Sequence, residues 1–479
     1  MNAPPPPIFP AGVAAIALSL AMLSGCATFR SYDSELTSTI NLAASGNVEG
    51  AIKRLNGNNR LGSKDLLYYL ESGELQRLKS NYGESEKAWL AADVHVQSWE
   101  KAAAYNPEKL LGGVGSVLLN DKSLPYEGHD YEKVMLTTRL ALDRLAQGDF
   151  DTARVDIKRT HERAAVIDEL RKKELQKTQG EAKKRGMKTS FRELNGYPVQ
   201  EIDNAEVNTL RNSYESAFSH YLAGFVYEAQ GEPSLAAAGY RRAIELQPGH
   251  ALLDDALAGL DARVAARDDG YTDVLFVIES GTAPARKSRQ FSFPFPYRSR
   301  LLIIPVSFPV ITPGQPSFMP AQLQIQDGPA VNTVVITSID LMARKALQEE
   351  MPGIMLRGII RSSGKAIAQY EAGKNDQSGL VSLALAIGSI VTESADERGW
   401  RSLPAQIAIA RARIPSGPHT LGFGASPGRR DIGFTVSGRY AVVGLRLLGG
   451  ATYAMIPQNP VPAQAHAVEV PDAASTPAK

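Results

Sequence analysis

The stretch FSHYLAGFVYEAQGEPSLAAAGYRRAIELQP, Phe218 to Pro248, decides the fold. Set in a frame of 34 residues, Gly224, Tyr227, Gly231, Ala236, Tyr240, Ala243 and Pro248 occupy positions 8, 11, 15, 20, 24, 27 and 32. Small residues at such spacing let two helices cross closely, and the aromatics fill the gap between successive units.

The same frame recurs upstream. Gly73, Tyr82, Ser85, Trp89 and Ala92 fall at 8, 17, 20, 24 and 27, while Gly148, Phe150 and Ala153 take 15, 17 and 20 of another unit, as Gly46, Val48 and Ala51 do of a fourth. Position 15 lands at 46, 80 and 148, one and then two repeat lengths apart. These matches resemble the tetratricopeptide repeat, and the chain from 35 to 267 is read as a helical solenoid of that type. A degenerate unit is expected in the second gap, with Pro107 interrupting its first helix. The resemblance places positions 2, 5, 9 and 12 on a concave, peptide-binding face. In the last unit these are Phe218, Tyr221, Phe225 and Glu228; in the early unit they are Leu67, Leu70, Glu74 and Arg77. The basic clamp of chaperone-binding repeats is absent, so an apolar, aromatic groove for envelope proteins is expected. The alternative is that the aromatics pack the next repeat or the β half.

Between 148 and 231 the repeat is stretched by an insertion, assigned to Arg154–Lys188 with its twelve basic and six acidic residues. It reads as a long solvated helix protruding from the solenoid; the competing reading is a basic arm touching anionic lipid.

Two blocks carry a second resemblance. Tyr126-Glu127-Gly128-His129-Asp130-Tyr131-Glu132 supplies a glycine for a turn and Asp130 as a helix N-cap. Downstream stand Gly148-Asp149, Ala153-Arg154-Val155, and then Ala395, Asp396, Arg398, Trp400, Leu403 and Pro404. Together these resemble a family of bacterial envelope lipoproteins with tetratricopeptide-like N-terminal halves and a Trp-x-x-Leu-Pro block before the closing strands. Tyr126, Glu127, His129 and Glu132 are expected at one helix mouth, either as structural capping or as a partner-binding site. Trp400 is a further partner-binding candidate. Asp396, Glu397 and Arg398 read as a salt-bridged helix end with Trp400 in the core, or as an acid/base site with Trp400 as a platform for a sugar.

From 270 to 450 the period changes to two. Val274–Glu279, Leu301–Ser307, Gln322–Gln326, Val331–Thr337, Gln406–Arg413, His419–Gly424, Gly433–Ser437 and Tyr440–Leu447 read as strands. Phe291–Tyr297 is expected to run extended, over a sheet edge or against another protein. Helices are expected near 338–394, one broken at Pro352 and one from Gln377 to Ser394, whose apolar run Leu380–Val391 reads as a buried core helix, or as one that dips into a membrane. The fold class is therefore α+β: a tetratricopeptide-like α-solenoid followed by a β-rich, sandwich-like domain with inserted helices. Residues 457–479, rich in proline and alanine, read as a disordered tail.

The N-terminus fixes location. Ala11–Leu23 is an apolar run too short to span a bilayer, and it ends in Leu23-Ser24-Gly25-Cys26, which resembles a lipoprotein lipobox. That likeness implies a signal peptide over 1–25, acylation of Cys26 and a lipidated tether over 26–34; acyl chains on that cysteine would anchor the chain stably. Met1–Pro10 departs from the usual basic start, with five prolines and no Lys or Arg, so the true start codon is expected elsewhere. By resemblance to enterobacterial lipoprotein sorting, Ala27 in place of Asp implies the outer membrane. Cys26 is the sole cysteine, which excludes intrachain disulfides and thiolate metal sites. Net charge is +1, giving no field to recruit nucleic acid.

The seven histidines fall in no metal-ligating spacing, and no nucleophile elbow or phosphate-binding loop is present. Gly112–Gly115 lacks the preceding strand that a nucleotide loop needs. The reading is a membrane-anchored scaffold for an envelope or cell-wall assembly, with no catalytic residue, cofactor or metal. The alternatives are a cell-wall or glycan-modifying enzyme, or a component of a surface-polymer or appendage export system.

Overall fold

The structure is a computed structural model; it describes residues 32–59, 64–105, 121–267, 269–315, 318–375, 394–424 and 428–457. The lipobox with Cys26, Pro107, the Gly112–Gly115 run, the expected helix from Gln377 and nearly all of the tail lie outside the described residues.

Four helical hairpins correspond to the four units of the frame: α1 (Tyr32–Ala44) with α2 (Val48–Asn58), α3 (Leu66–Leu78) with α4 (Tyr82–Tyr105), α5 (Asp130–Ala146) with α6 (Phe150–Lys184), and, after a short α7 (Ala205–Thr209), α8 (Ala217–Ala229) with α9 (Pro233–Leu246). Position 15 is the turn residue of each hairpin, and at all four it takes the left-handed conformation: Gly46 φ 89°, Ser80 φ 57°, Gly148 φ 79° and Gly231 φ 72°. Position 8 is glycine because the position 24 aromatic crosses there. A Cβ on Gly73 would lie 2.2 Å from the Trp89 ring, and one on Gly224 2.5 Å from Tyr240. Two short helices, α10 (Ala251–Ala258) and α11 (Leu260–Ala265), close the stack.

The strands are β1 (Tyr271–Ser280), β2 (Ala285–Tyr297), β3 (Arg300–Thr312), β4 (Gln322–Ile325), β5 (Ala330–Asn332), β6 (Val334–Ser338), β7 (Gln406–Pro415), β8 (Gly417–Gly424), β9 (Arg429–Val436), β10 (Tyr440–Leu448) and β11 (Ala451–Met455). They form a five-stranded sheet, β11-β10-β1-β7-β6, a four-stranded sheet, β5-β4-β8-β9, and a β2-β3 ribbon. β1 and β10 run parallel; the other pairs are antiparallel.

Alternation along β1 explains the layering. Val274, Phe276 and Ile278 face the four-stranded sheet, packing with Leu421, Phe423 and Phe434 as a sandwich. Leu275 and Val277 belong instead to one continuous core with the helices, among them Leu140, Phe218 and Phe225. Helices, large sheet and small sheet are three stacked layers, and the first two share a core.

Three expectations are corrected. Phe291–Tyr297 is half of the long β2-β3 ribbon, with Phe291 packed beside Ile304, Met351 and Met355, and does not cover a sheet edge. The helix expected to break at Pro352 runs unbroken as α12 (Ile339–Asn375), where the buried Met351 and Met355 flank the proline and hold it on the ribbon. The charged Arg154–Lys188 segment does not protrude. Asp156, Ile157, Thr160, Arg163, Ile167 and Leu170 are buried along α6, and Arg163 is held by Asp93 at 2.7 Å and Glu100 at 2.5 Å. Its apolar residues, too sparse to predict a packed face, suffice because Arg163 is paired and Thr160 donates to Thr137 between them.

Candidate functional site

The concave face is the site that repeats of this type suggest, and it is occupied. Phe218, Tyr221 and Phe225 are 0% exposed and Glu228 is 1% exposed. The large sheet fills the groove with the side chains that alternate toward the helices. Tyr440 meets the Phe225 ring edge-on at 5.6 Å. Arg411 donates to Glu228 at 2.6 Å and also to Tyr240, while Arg263 donates to Glu228 from the other side at 2.7 Å. Deeper in, Glu74 and Arg77 of α3 join Arg139 and Asp143 of α5, Glu279 of β1 and Arg446 of β10 in a cluster of six fully buried charges. Burial opposes the charge on Glu279, but Arg139, Arg77 and Arg446 overcome it and hold the carboxyl at about 2. The expected open groove for a foreign peptide is thus corrected: its four residues bind this chain's own sheet.

The two sequence blocks, by contrast, are brought together. Glu132, the third residue of α5, accepts the backbone N–H of Trp400 at 2.7 Å across 268 residues of sequence. It also accepts the His129 N–H at 3.0 Å and the Tyr126 hydroxyl. Asp130 is not the N-cap; it is the first helical residue, and its carboxylate is turned to Arg171 and Lys133. A second helix glutamate, Glu71, accepts the N–H groups of Arg401 and Ser402 at 2.6 and 3.4 Å, and burial pushes its carboxyl up to about 7. Trp400 is 0% exposed, its ring 6.0 Å from that of Trp89 and its indole N–H on Ser402, so it offers no platform to a sugar and no surface to a partner. Arg398 ties the blocks further, donating to Asp396 at 2.6 Å and to the carbonyls of Leu124 and Asp121 at 2.9 and 3.1 Å.

Beside this junction lies a cleft of about 400 Å³. Tyr126, Glu127, His129 and Arg398 line it from the two blocks, and Arg286 of β2 and Glu350 of α12 line it from behind. Glu127 is exposed at its mouth. Glu350 is shared by Arg286 at 2.6 Å, His129 at 3.4 Å and Arg171 at 3.8 Å. Burial disfavours its charge, yet Arg286, the hydrogen bond with His129 and Arg171 hold the carboxyl well below the usual range. Sequence reasoning found Tyr126, Glu127, His129 and Glu132, and missed Arg286, Glu350 and Glu71. These three belong to no motif, and only tertiary contact marks them. A hollow of about 480 Å³ between α2 and α3 is lined by Glu49, Lys53 and Lys79 at the surface and offers no comparable chemistry. Among the described residues no group of His, Cys, Asp and Glu is placed to hold a metal ion, and no helix is long and apolar enough to cross a membrane.

No protein-family model and no curated protein matches the chain. Among solved structures, a tetratricopeptide repeat protein from Parabacteroides merdae is similar at 14% identity, covering 48% of this chain and 98% of that one, with a TM-score of 0.14. The repeat assignment rests on the hairpins and their turn residues, and not on this likeness.

Proposed function

We propose that this chain is a lipid-anchored protein of the bacterial envelope that acts as an interaction scaffold. Acylated Cys26 holds it to a membrane, the periplasmic face of the outer membrane by the sorting logic of Ala27, and a short tether leads to α1. Helices and large sheet share one core, and partners are met at the mouth of the cleft and not in the concave groove. The observation that carries this reading is the burial of Phe218, Tyr221, Phe225 and Glu228 beneath the sheet. Among the described residues, the cleft beside the junction of the two sequence blocks is a concave surface open to a partner. The test is crosslinking in intact cells followed by affinity purification. A defined set of envelope proteins should be recovered with wild type, be lost with Cys26→Ser and fall several-fold with Glu127→Lys. Recovery of the same set with Phe225→Ala but not with Glu127→Lys would place the contact at the cleft. No reproducible partner in wild type would overturn the scaffold reading.

A further inference from the structure

The outer face of the β2-β3 ribbon is apolar and exposed. Side chains alternate between the two faces of a ribbon. Phe291, Ile304 and Val306 pack with Met351 and Met355 of α12, and the register sets Ser292 opposite Pro305 and Pro294 opposite Ile303 on the other face. There Leu301 and Ile303 are each 64% exposed, with Ser292 and Pro294 exposed beside them. No charged residue falls on that face between the Ser288–Pro309 and Pro296–Leu301 pairs.

Backbone, charge and reach together select the occupant. A proline has no N–H to give its ladder, so Pro294, Pro305 and Pro309 sit where that group would point away from the partner strand. An added strand from another protein needs those donors, whereas in lipid each unanswered donor is a cost. The ribbon therefore suits a bilayer better than strand addition. From Ser280 to Gln326 the chain has five basic residues and no Asp or Glu, and Arg289, Arg298 and Arg300 are exposed, which complements anionic lipid. At the ribbon's base Lys287 pairs with Asp33 of α1 at 3.7 Å. Asp33 stands seven residues beyond Cys26, a tether of about 25 Å at full extension, while the ribbon runs about 33 Å from Lys287 to Tyr297. An acyl group on Cys26 thus keeps a bilayer within the ribbon's reach. We infer that the outer face of the ribbon docks on an anionic bilayer, with Leu301 and Ile303 entering the boundary between headgroups and acyl chains and Arg298 and Arg300 meeting lipid phosphates. The reach of the tether rests on the anchored reading above; the face and its charge do not.

The test is fluorescence quenching in vesicles. The full acylated chain carries one labelled thiol, since acylation occupies that of Cys26: Ser292→Cys on the outer face, or Asp254→Cys at an exposed position of α10 as the control, each bearing nitrobenzoxadiazole. Vesicles of phosphatidylethanolamine and phosphatidylglycerol, with and without a nitroxide on the acyl chains, are compared with phosphatidylcholine vesicles. The Ser292 label should shift to the blue and lose at least half of its emission to the nitroxide, the Asp254 label should keep its emission, and neutral vesicles should quench at least twofold less. Leu301→Glu with Ile303→Glu, at exposed positions, should cut the quenching at least threefold while the chain still floats with the vesicles; circular dichroism confirms its fold. A floating chain whose Ser292 label is unquenched would overturn the inference and leave the anchor standing. So would a blue-shifted label that the nitroxide does not reach, because the run Leu380–Val391 or a second copy would then cover the face. Equal quenching in neutral vesicles, or undiminished quenching in the double variant, would overturn it as well. If mass spectrometry finds no acyl group, the anchored reading fails by itself, and the Cys26→Ser chain with excess vesicles decides the ribbon on the same outcomes.

Discussion

Glycine at position 8 of the repeats is a packing requirement. The Trp89 ring occupies the space where a Cβ on Gly73 would sit, so Gly73→Ala should cost about 1–3 kcal/mol through overpacking. Gly57 is helical as well, with nothing within 4 Å of its added Cβ. Gly57→Ala should therefore stabilise by about 0.5–1 kcal/mol. Urea denaturation of the two variants separates the readings, because an effect of helix propensity alone would move both in the same direction. Glu132 is the residue that joins the two sequence blocks. Glu132→Gln keeps the shape but replaces one carboxylate oxygen by a donor facing other donors, and should destabilise by about 1–3 kcal/mol.

At the scale of elements, the left-handed turn residue is what spaces the hairpins. Gly231 meets no atom within 4 Å of an added Cβ, so Gly231→Ala isolates the backbone term and should cost about 1–2 kcal/mol. Equal stability of wild type and variant in urea would show that this turn relaxes freely. Ser80 occupies the same slot with φ 57°, which explains why the sequence frame held its phase there without a glycine. α6 shows the reverse case. Its composition predicts a solvated rod, and its burial follows from Arg163 meeting Asp93 and Glu100, partners contributed by α4.

At the scale of the whole molecule, the helices and the large sheet are joined by buried charge as well as by apolar contact. Removing one member of the six-charge cluster leaves the others uncompensated, so Glu279→Gln should cost about 3–5 kcal/mol. The loss should appear as a single cooperative transition at lower denaturant, whereas two separated transitions would mean that the halves fold independently. Stability should also depend on pH. Glu71 has a folded value of about 7 against an ordinary value of 4.5, so the folded state holds a proton that the unfolded chain releases. Its contribution is fully present below about 4.5 and is lost as pH rises through 7, at most about 3 kcal/mol. The melting temperature should fall between pH 5 and pH 8, and Glu71→Gln should flatten part of that fall. A rise over the same interval would show that Glu71 is ionised in the folded protein.

The repeat frame was legible in the sequence because it is local: a glycine, a turn and an aromatic at fixed spacing impose the same helical hairpin wherever they occur. Period-two alternation likewise announced the strands, and turn chemistry placed Gly128 and Glu132 at the start of α5. What covers the concave face could not be read this way. Phe225 and Glu228 look alike in sequence whether a foreign peptide or the chain's own β7 and β10 lies against them, since that choice depends on contacts between residues more than 180 positions apart. The cleft has the same origin. Arg286, Glu350 and His129 carry no common pattern, and only the docking of β2, α12 and the loop before α5 sets Arg286 and His129 around one carboxylate.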